Sequence, residues 1–494
     1  MNTEIIKTAD LPLLSPALNT IPPDPKRIHL MGICGTGMAS LAGILKHKGY
    51  SVTGSDENVY PPMSNFLESL SIPIFRGYSP ENLSFMPDLV IVGNVITRHN
   101  PEAIGLSQIS IPYVSLPQAL GHFAMKDKRS IVVCGTHGKT TTSALAAWML
   151  EKSGMDPSFM IGGILNNFQR NFKLGDGPDF VIEGDEYDTA FFDKGPKFLH
   201  YNPWITILTS IEFDHADIYS DLEHVIESFQ RLIDLIPPDG LLIYNMDDPV
   251  ITAEVKRARC PVISYGLHAD GNWKAVDIAI RDGLTQMKIL RDGNEYASLT
   301  TPLYGLHNIS NLLGVAALSQ HMGIDVLTLS EAAMTFLGIK RRQEIRGERR
   351  GVLILDDFAH HPTAVEKTIQ AVKDRYTGRR LIAVFEPRSN SSRRNVFQER
   401  YGLSFDKADL IFIPEPPMME KIPAGERFSS MKLVRSLNDR GLKAFYCPDH
   451  GNLLREILKH VRRDDVILIM SNGPFDNIHE KLLNSLEELS AIKE

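Results

Sequence analysis

From residue 27 onward, short apolar runs alternate with longer amphipathic stretches, and each apolar run is cut off by glycine or by a burst of polar residues. That rhythm predicts parallel sheets flanked by helices. The first series opens with a strand over 27–31, passes through a glycine-rich turn into a helix over 39–48, and continues with strands over 50–54, 88–93 and 111–115. A second series starts with the apolar run ending at Cys134 and adds strands over 179–183 and 204–211. Between about 260 and 302 the pattern turns to short alternating segments, 275–280 and 285–290, split by Asp-Gly turns, which predicts a small antiparallel sheet. A helix follows 303, and strands over 352–355, 381–385, 410–413 and 466–470 form a third series.

The sharpest chemical signal lies where the second series begins. The strand ending at Cys134 breaks into Gly135, Thr136, His137, Gly138, Lys139, Thr140 and Thr141, and a helix starts there. Glycines free the backbone to turn successive N–H groups toward an anion at the helix's positive end. Lys139 adds a mobile charge, and the Thr140 hydroxyl suits a magnesium ion. Strict P-loops keep four residues between their glycines, whereas Gly135 and Gly138 have two, so the motif is a variant. A plain strand-to-helix turn is the alternative; the flanking strand and helix favour a phosphate cradle, with ATP as its ligand. The fold class is α/β in three domains: a Rossmann-like N-terminal domain, a central P-loop ATPase-type parallel sheet with a small antiparallel sheet, and a Rossmann-like C-terminal domain. The expected divisions are an extended, proline-bearing arm over 1–26 and domains over 27–125, 126–343 and 344–494, with 121–128 as a junction. The basic run from Lys340 to Arg350 reads as a solvated link, from which an arginine could reach the ATP phosphates.

Other strand ends carry polar clusters, where active sites of parallel sheets sit. They hold Glu183, Asp185 and Glu186; Glu212, Asp214, His215 and Asp217; and Asp356, Asp357, His360 and His361. His307, Asn308 and Asn311 recur at helical spacing and could face adenine. The turn Gly32 to Gly37, with Asp56 after the second strand, resembles a dinucleotide site, so a nicotinamide-dependent oxidoreductase is the rival reading. It leaves the P-loop without a purpose.

Composition narrows the class further. The chain has 494 residues, 43% hydrophobic and 23% charged, enough for two to four packed cores. A net charge of -8 gives no overall basic field, which argues against nucleic acid as the main partner. No apolar run reaches the ~18 residues that span a bilayer, and the start lacks a basic and apolar leader, so a cytoplasmic protein without a membrane partner is expected. Four well-separated cysteines fit a reducing compartment.

Taken in order, Gly32-x-x-Gly-x-Gly-Met38, Gly135-Thr-His-Gly-Lys-Thr-Thr141, Glu183-Gly-Asp-Glu186, Asp214-His215, Gly305-x-His-Asn-x-x-Asn311, Arg341-Arg342 with Glu344, and Asp356-Asp-x-x-His-His-Pro362 resemble the Mur ligase family over nearly all of 27–485. The resemblance implies an ATP-dependent amide-bond ligase that activates a carboxylate of a UDP-linked cell-wall precursor as an acyl phosphate. It implies Lys139, Thr140, Glu183 and His215 as catalytic residues, with Thr140 and Glu183 on one magnesium and His215 on a second. ATP would meet Gly135 to Thr141, Asn308 near adenine, Arg342 near the phosphates and Asp357 near the ribose. Gly35, Thr36, Gly37, Met38, Asp56 and Asn94 would hold the UDP substrate rather than NAD. No lysine occurs between Lys197 and Lys256, which removes the branches using a carbamylated lysine after His215. The branch that remains acts on UDP-N-acetylmuramate itself. Segments 93–94, 186–193, 385–390 and 470–473 resemble its tripeptide-adding members, the murein peptide ligases, in which the acceptor is a recycled L-Ala-γ-D-Glu-meso-diaminopimelate. L-alanine addition in de novo peptidoglycan synthesis is the alternative. Arg388, Ser389 and Asn390 would bind the acceptor, with Arg393 and Arg394 as further cations.

Overall fold

The computed structural model describes residues 14–61 and 63–488. Of the arm expected over 1–26, residues 1–13 lie outside the described residues. Leu14 is buried, and Asn19 Nδ2 donates to the Tyr113 carbonyl at 3.1 Å, so the following stretch packs on the first sheet.

That sheet is parallel throughout: β1 (Arg27–Met31), β2 (Ser51–Asp56), β3 (Ile74–Arg76), β4 (Leu89–Val92) and β5 (Tyr113–Ser115), in the order β3-β2-β1-β4-β5. The order reverses between β1 and β4, and a ligand crevice is expected where it does, at the carboxyl end of β1. The helix after β1 begins at Thr36, three residues before the expected start, because Gly35 serves as its N-cap. A buried polar network stiffens this sheet from within. Glu102 and His29 are fully buried; Glu102 Oε1 lies 2.7 Å from His29 Nε2 and accepts from Ser55 Oγ at 2.9 Å, while Oε2 accepts from Asn82 Nδ2 at 2.8 Å. The junction over 121–128 is a packed helical turn instead of an open linker. Phe123, Ala124 and Met125 are buried, and a Cβ on Gly121 would stand 2.5 Å from the His200 carbonyl oxygen.

The central sheet contains β6 (Arg129–Cys134), β7 (Ser158–Leu165), β8 (Arg170–Lys173), β9 (Asp179–Gly184), β12 (Ile205–Leu208), β13 (Leu241–Asn245), β14 (Val262–Gly266), β15 (Trp273–Arg281), β16 (Leu284–Arg291) and β17 (Asn294–Thr301). A separate hairpin joins β10 (Asp188–Ala190) to β11 (Asp193–Pro196). The sheet runs β17-β16-β15-β14-β13-β12-β6-β9-β7-β8. Strands β6, β9 and β12 are buried on both faces, so they read as unbroken apolar runs. The expected antiparallel segment is not a detached sheet, because β15 pairs parallel to β14 through Tyr265 with Trp273 and Gly266 with Lys274. Burial of Trp273 and Tyr265 welds the two parts.

The third sheet comprises β18 (Glu344–Arg349), β19 (Val352–Asp357), β20 (Leu381–Phe385), β21 (Leu410–Pro414), β22 (Ala444–Cys447) and β23 (Val466–Met470), ordered β18-β19-β23-β20-β21-β22 with only β18 antiparallel. The basic run expected as a solvated link thus supplies an edge strand. Its charges suit an edge, where Arg346 meets Glu480 and Arg349 meets Glu487.

The central and third sheets are latched by Glu212. Its Oε2 accepts from Thr363 Oγ1 at 2.6 Å and from Arg400 Nη2 at 3.4 Å, and its Oε1 lies 3.7 Å from His137 Nε2. Burial opposes the charge on Glu212, but His137 and Thr363 prevail and hold its carboxyl well below the usual carboxylate range. A depressed carboxylate adds stability above its unfolded value of ~4.3 and loses it as the pH falls. The gap in thermal midpoint between wild type and Glu212→Gln is therefore expected to narrow from about pH 5 to about pH 3, and a constant gap would refute the latch. In the first sheet, Glu102→Ala strands the buried His29 and Ser55 and the half-buried Asn82 and is expected to cost roughly 3–5 kcal/mol in urea unfolding; a loss near zero would show that the network is dispensable.

Candidate active site

A cleft of about 2230 Å³ opens where the carboxyl ends of β6, β9 and β12 face the glycine turn of the first sheet and the edge of the third. The P-loop forms its floor. Gly135 has φ +130° and Gly138 has φ +83°; a Cβ on the first would stand 2.2 Å from Thr209 Oγ1, and on the second 2.6 Å from Asn311 Oδ1. The backbone N–H of Thr136 donates to the Ser210 carbonyl, and that of His137 to Ser210 Oγ, both at 2.9 Å. The helix Lys139–Lys152 starts directly after the second glycine, so its free N–H groups face the turn. Asn311 is thereby a packing partner of the loop, while Asn308 Nδ2 donates to the Tyr304 carbonyl at 2.9 Å and to Gln343 Oε1 at 3.1 Å. His307 beside it is kept neutral, with burial lowering its pKa to about 3.

Lys139 Nζ donates to the Gly135 carbonyl at 2.6 Å and to Glu186 Oε2 at 2.7 Å. Burial would lower its pKa, but Glu186 and Asp185 raise it and keep the ammonium charged. Thr140 Oγ1 donates to Glu183 Oε2 at 3.0 Å, and the Gly162 N–H donates to Glu183 Oε1 at 2.6 Å. Burial, then Asp185, pushes the Glu183 carboxyl up. Of the three expected metal ligands, Thr140 and Glu183 touch, whereas His215 Nε2 faces Glu186 Oε1 at 3.4 Å. Glu186, quoted in the motif but not expected in the site, is thus the bridge between Lys139 and His215. Its carboxyl stays ionised against burial through Lys139 and His215. Glu183 with Thr140 is an all-oxygen pair, the donor chemistry a hard divalent cation takes.

From the segment that leads into the third sheet, Arg342 stacks over the Phe358 ring at 4.8 Å and brings Nη2 to 3.4 Å from Thr140 Oγ1. Asp357 lines the cleft, but its two oxygens accept from the Gln343 N–H at 2.8 Å and the Ala359 N–H at 2.7 Å. The segment Arg388 to Asn390 docks beside His215. Asn390 Nδ2 donates to Asp217 Oδ2 at 2.8 Å, Ser389 Oγ caps the turn to Ser392, and Arg388 lies 3.8 Å from the buried Glu386. Arg393 is buried and donates to the Met418 carbonyl, and Arg394 pairs with Glu426, so both are engaged within the third module.

In the first sheet, Gly35, Thr36, Gly37 and Asn94 line the cleft. Met38 does not; it is buried and packs toward Gly93. Asp56 ends β2 instead of following it, and its oxygens accept from the Cys34 N–H at 2.9 Å and the Asn58 N–H at 2.8 Å. It shapes the glycine turn, a role that the sequence distance to ribose-binding acids does not reveal. Glu186, Glu212 and Lys197 also belong to the site; folding gives Glu186 and Glu212 their distant partners, and Lys197 meets the nearby Asp185.

Comparison with known proteins fits this geometry. Residues 27–128 match the family described as Mur ligase family, catalytic domain, residues 133–319 the Mur ligase middle domain, and residues 341–473 the Mur ligase, glutamate ligase domain. The UDP-N-acetylmuramate–L-alanyl-gamma-D-glutamyl-meso-2,6-diaminoheptandioate ligase of Escherichia coli (strain K12) is 39% identical over 461 residues, covering 93% of this chain and 98% of that protein. A UDP-N-acetylmuramate–L-alanine ligase of Desulforamulus reducens is 30% identical over 465 residues, covering 94% and 98%. The crystal structure of a murein peptide ligase from Psychrobacter arcticus 273-4 superposes with a TM-score of 0.70 at 33% identity, covering 94% of this chain and 100% of that one. Three domain matches in the order of the three sheets, with identity of this level along nearly the whole length, establish that the chain belongs to the Mur ligase family, ATP-dependent ligases that form amide bonds.

Proposed function

We propose that the protein joins the carboxylate of UDP-N-acetylmuramate to the amine of L-Ala-γ-D-Glu-meso-diaminopimelate, with ATP as the second substrate, in the cytoplasmic recycling of peptidoglycan. The observation that carries the reading is the meeting of Lys139, Thr140, Glu183 and Arg342 in one cleft lined from all three sheets. The acceptor follows the tripeptide ligase of Escherichia coli, 39% identical, rather than the alanine ligase of Desulforamulus reducens at 30%. The three sheets support a division at 27–125 for the UDP substrate, 126–343 for ATP and 344–494 for the acceptor. Small molecules suffice as partners, and no helix among the described residues is long and apolar enough to cross a membrane.

In this reading the turn Gly135 to Thr141, through those of its N–H groups that Ser210 leaves free, and the Lys139 ammonium hold the ATP phosphates. Arg342 reaches them from the segment that leads into the third sheet, Asn308 lies by adenine and Asp357 by the ribose. Thr140 and Glu183 would hold one magnesium ion and His215 a second, supplying charge that offsets the crowding of anions. A donor carboxylate oxygen attacks the γ-phosphorus; the bond from that phosphorus to the bridging oxygen breaks, and ADP leaves. The acceptor nitrogen then attacks the carbonyl carbon of the acyl phosphate, inorganic phosphate departs with the C–O electron pair, and the nitrogen gives up a proton. Lys139 matters most in the first step, where two anions must approach. Gly35, Thr36, Gly37 and the Met38 backbone hold the UDP diphosphate, Asp56 keeps their turn in shape, Asn94 borders the sugar, and Arg388, Ser389 and Asn390 receive the acceptor.

Lys139→Ala is expected to lower kcat by at least about 10²–10³-fold. It also strands Glu186, so turnover is to be read at a temperature where circular dichroism shows the variant folded. An unchanged rate would refute the phosphate-cradle assignment. Incubation of the wild type with UDP-N-acetylmuramate, magnesium ATP and each acceptor, followed by weighing of the UDP product, is expected to show addition of the tripeptide. Extension by L-alanine and never by the tripeptide would overturn the acceptor.

A further inference from the structure

A second half-buried lysine stands in the cleft without a part in the scheme above. Lys197 directly follows β11, its side chain is 16% exposed, and it lines the same cleft as Lys139. Its Nζ donates to Asp185 Oδ2 at 3.0 Å and lies 4.0 Å from the centroid of the Tyr187 ring. An ammonium has three N–H donors. Among the described residues Asp185 is the single hydrogen-bond acceptor of this one, which leaves two donors for a ligand or for water. Burial opposes the charge, but Asp185 keeps the lysine protonated.

Its location gives the charge a purpose. The hairpin β10–β11 that delivers Lys197 is docked on the first sheet, where Phe192 meets Tyr113 with ring centroids 4.9 Å apart. Behind it, the His200 carbonyl abuts Gly121 at the junction of the two modules. The two lysines grip different carboxylates of one acidic strand end: Lys139 holds Glu186, and Lys197 holds Asp185. Tyr187 fixes the second ammonium from one side and approaches the His215 ring from the other, with centroids 5.1 Å apart. A carboxylate arriving from the first sheet meets Glu183, Asp185 and Glu186, three anions that repel it strongly in a buried setting. A cation on that side of the P-loop is what such an approach requires.

We propose that Lys197 binds the carboxylate of the UDP-linked donor and holds it for attack on the terminal phosphate, an inference that rests on the ligase reading. Tyr187 and Asp185 act as positioning residues for the ammonium. The donor's carboxylate then meets Lys197 before any transfer occurs, so the effect belongs to binding as well as to rate.

The test compares binding of UDP-N-acetylmuramate and of its carboxamide analogue by calorimetry, with magnesium and a non-hydrolysable ATP analogue present. Wild type is expected to prefer the carboxylate by about tenfold. Lys197→Met should bring that preference below about twofold while leaving carboxamide affinity unaltered, and Lys197→Arg should keep it. Should Lys197→Met fold poorly because Asp185 is left unpaired, the double variant Lys197→Met with Asp185→Asn carries the same expectation. A preference that survives in the methionine variants, or equal weakening of both ligands, would overturn the proposal while leaving the ligase reading intact. Wild type that binds neither ligand would overturn the ligase reading, and this inference with it.

Discussion

Charge compensation around the carboxyl end of β9 is the constraint from which the rest of the site follows. Glu183, Asp185 and Glu186 lie within four residues; the first two line the cleft, and Glu186 is buried behind them. Left alone, such a group would repel itself and would protonate or unfold the loop. Lys139 from the P-loop and Lys197 from the hairpin each take one carboxylate, Thr140 and the Gly162 N–H take the third, and His215 leans on Glu186. The same arrangement that makes the loop tolerable is the one a polyphosphate and its cation would enter, exchanging one set of counter-charges for another.

This constraint also explains why three sheets are needed. Each delivers a different kind of group to the β9 end: the first a glycine turn with its N–H groups, the central one a lysine and hydroxyls, the third arginine and amide side chains. Glu212 ties the last two together through Thr363 and Arg400, and Asn390 adds a second tie to Asp217. The third sheet is thereby positioned by polar contacts at its rim together with a small apolar one, in which Tyr304 and Phe213 of the central module pack against the third core.

The apolar pattern was most legible where strands are buried on both faces. β20 and β23 have the bounds their sequences suggest, since an uninterrupted apolar run has few other uses inside an α/β domain. β18 is not legible because an edge strand rich in arginine and glutamate carries no apolar signal, and β3 and β10 are only three residues long. In the site, glycine, lysine and threonine announced the loop through backbone chemistry that is local. The partners of Glu186, Glu212 and Lys197 were not legible, because those contacts join positions 29 to 188 residues apart except for the short reach of Lys197 to Asp185. Asp56 and Asp357 stood out as acids at strand ends, but backbone amides claim them, a use that spacing cannot distinguish from ligand binding.

The two glycines of the P-loop have a consequence for energetics. Thr209 crowds Gly135 from the end of β12 and Asn311 crowds Gly138 from the helix Leu306–His321, so the curvature of the turn is set by distant segments of the central module. Its conformational entropy is surrendered when the module folds. On the proposed reading, an incoming triphosphate would meet a receptor that is already shaped, and more of its interaction free energy would remain for stabilising the pentavalent phosphorus.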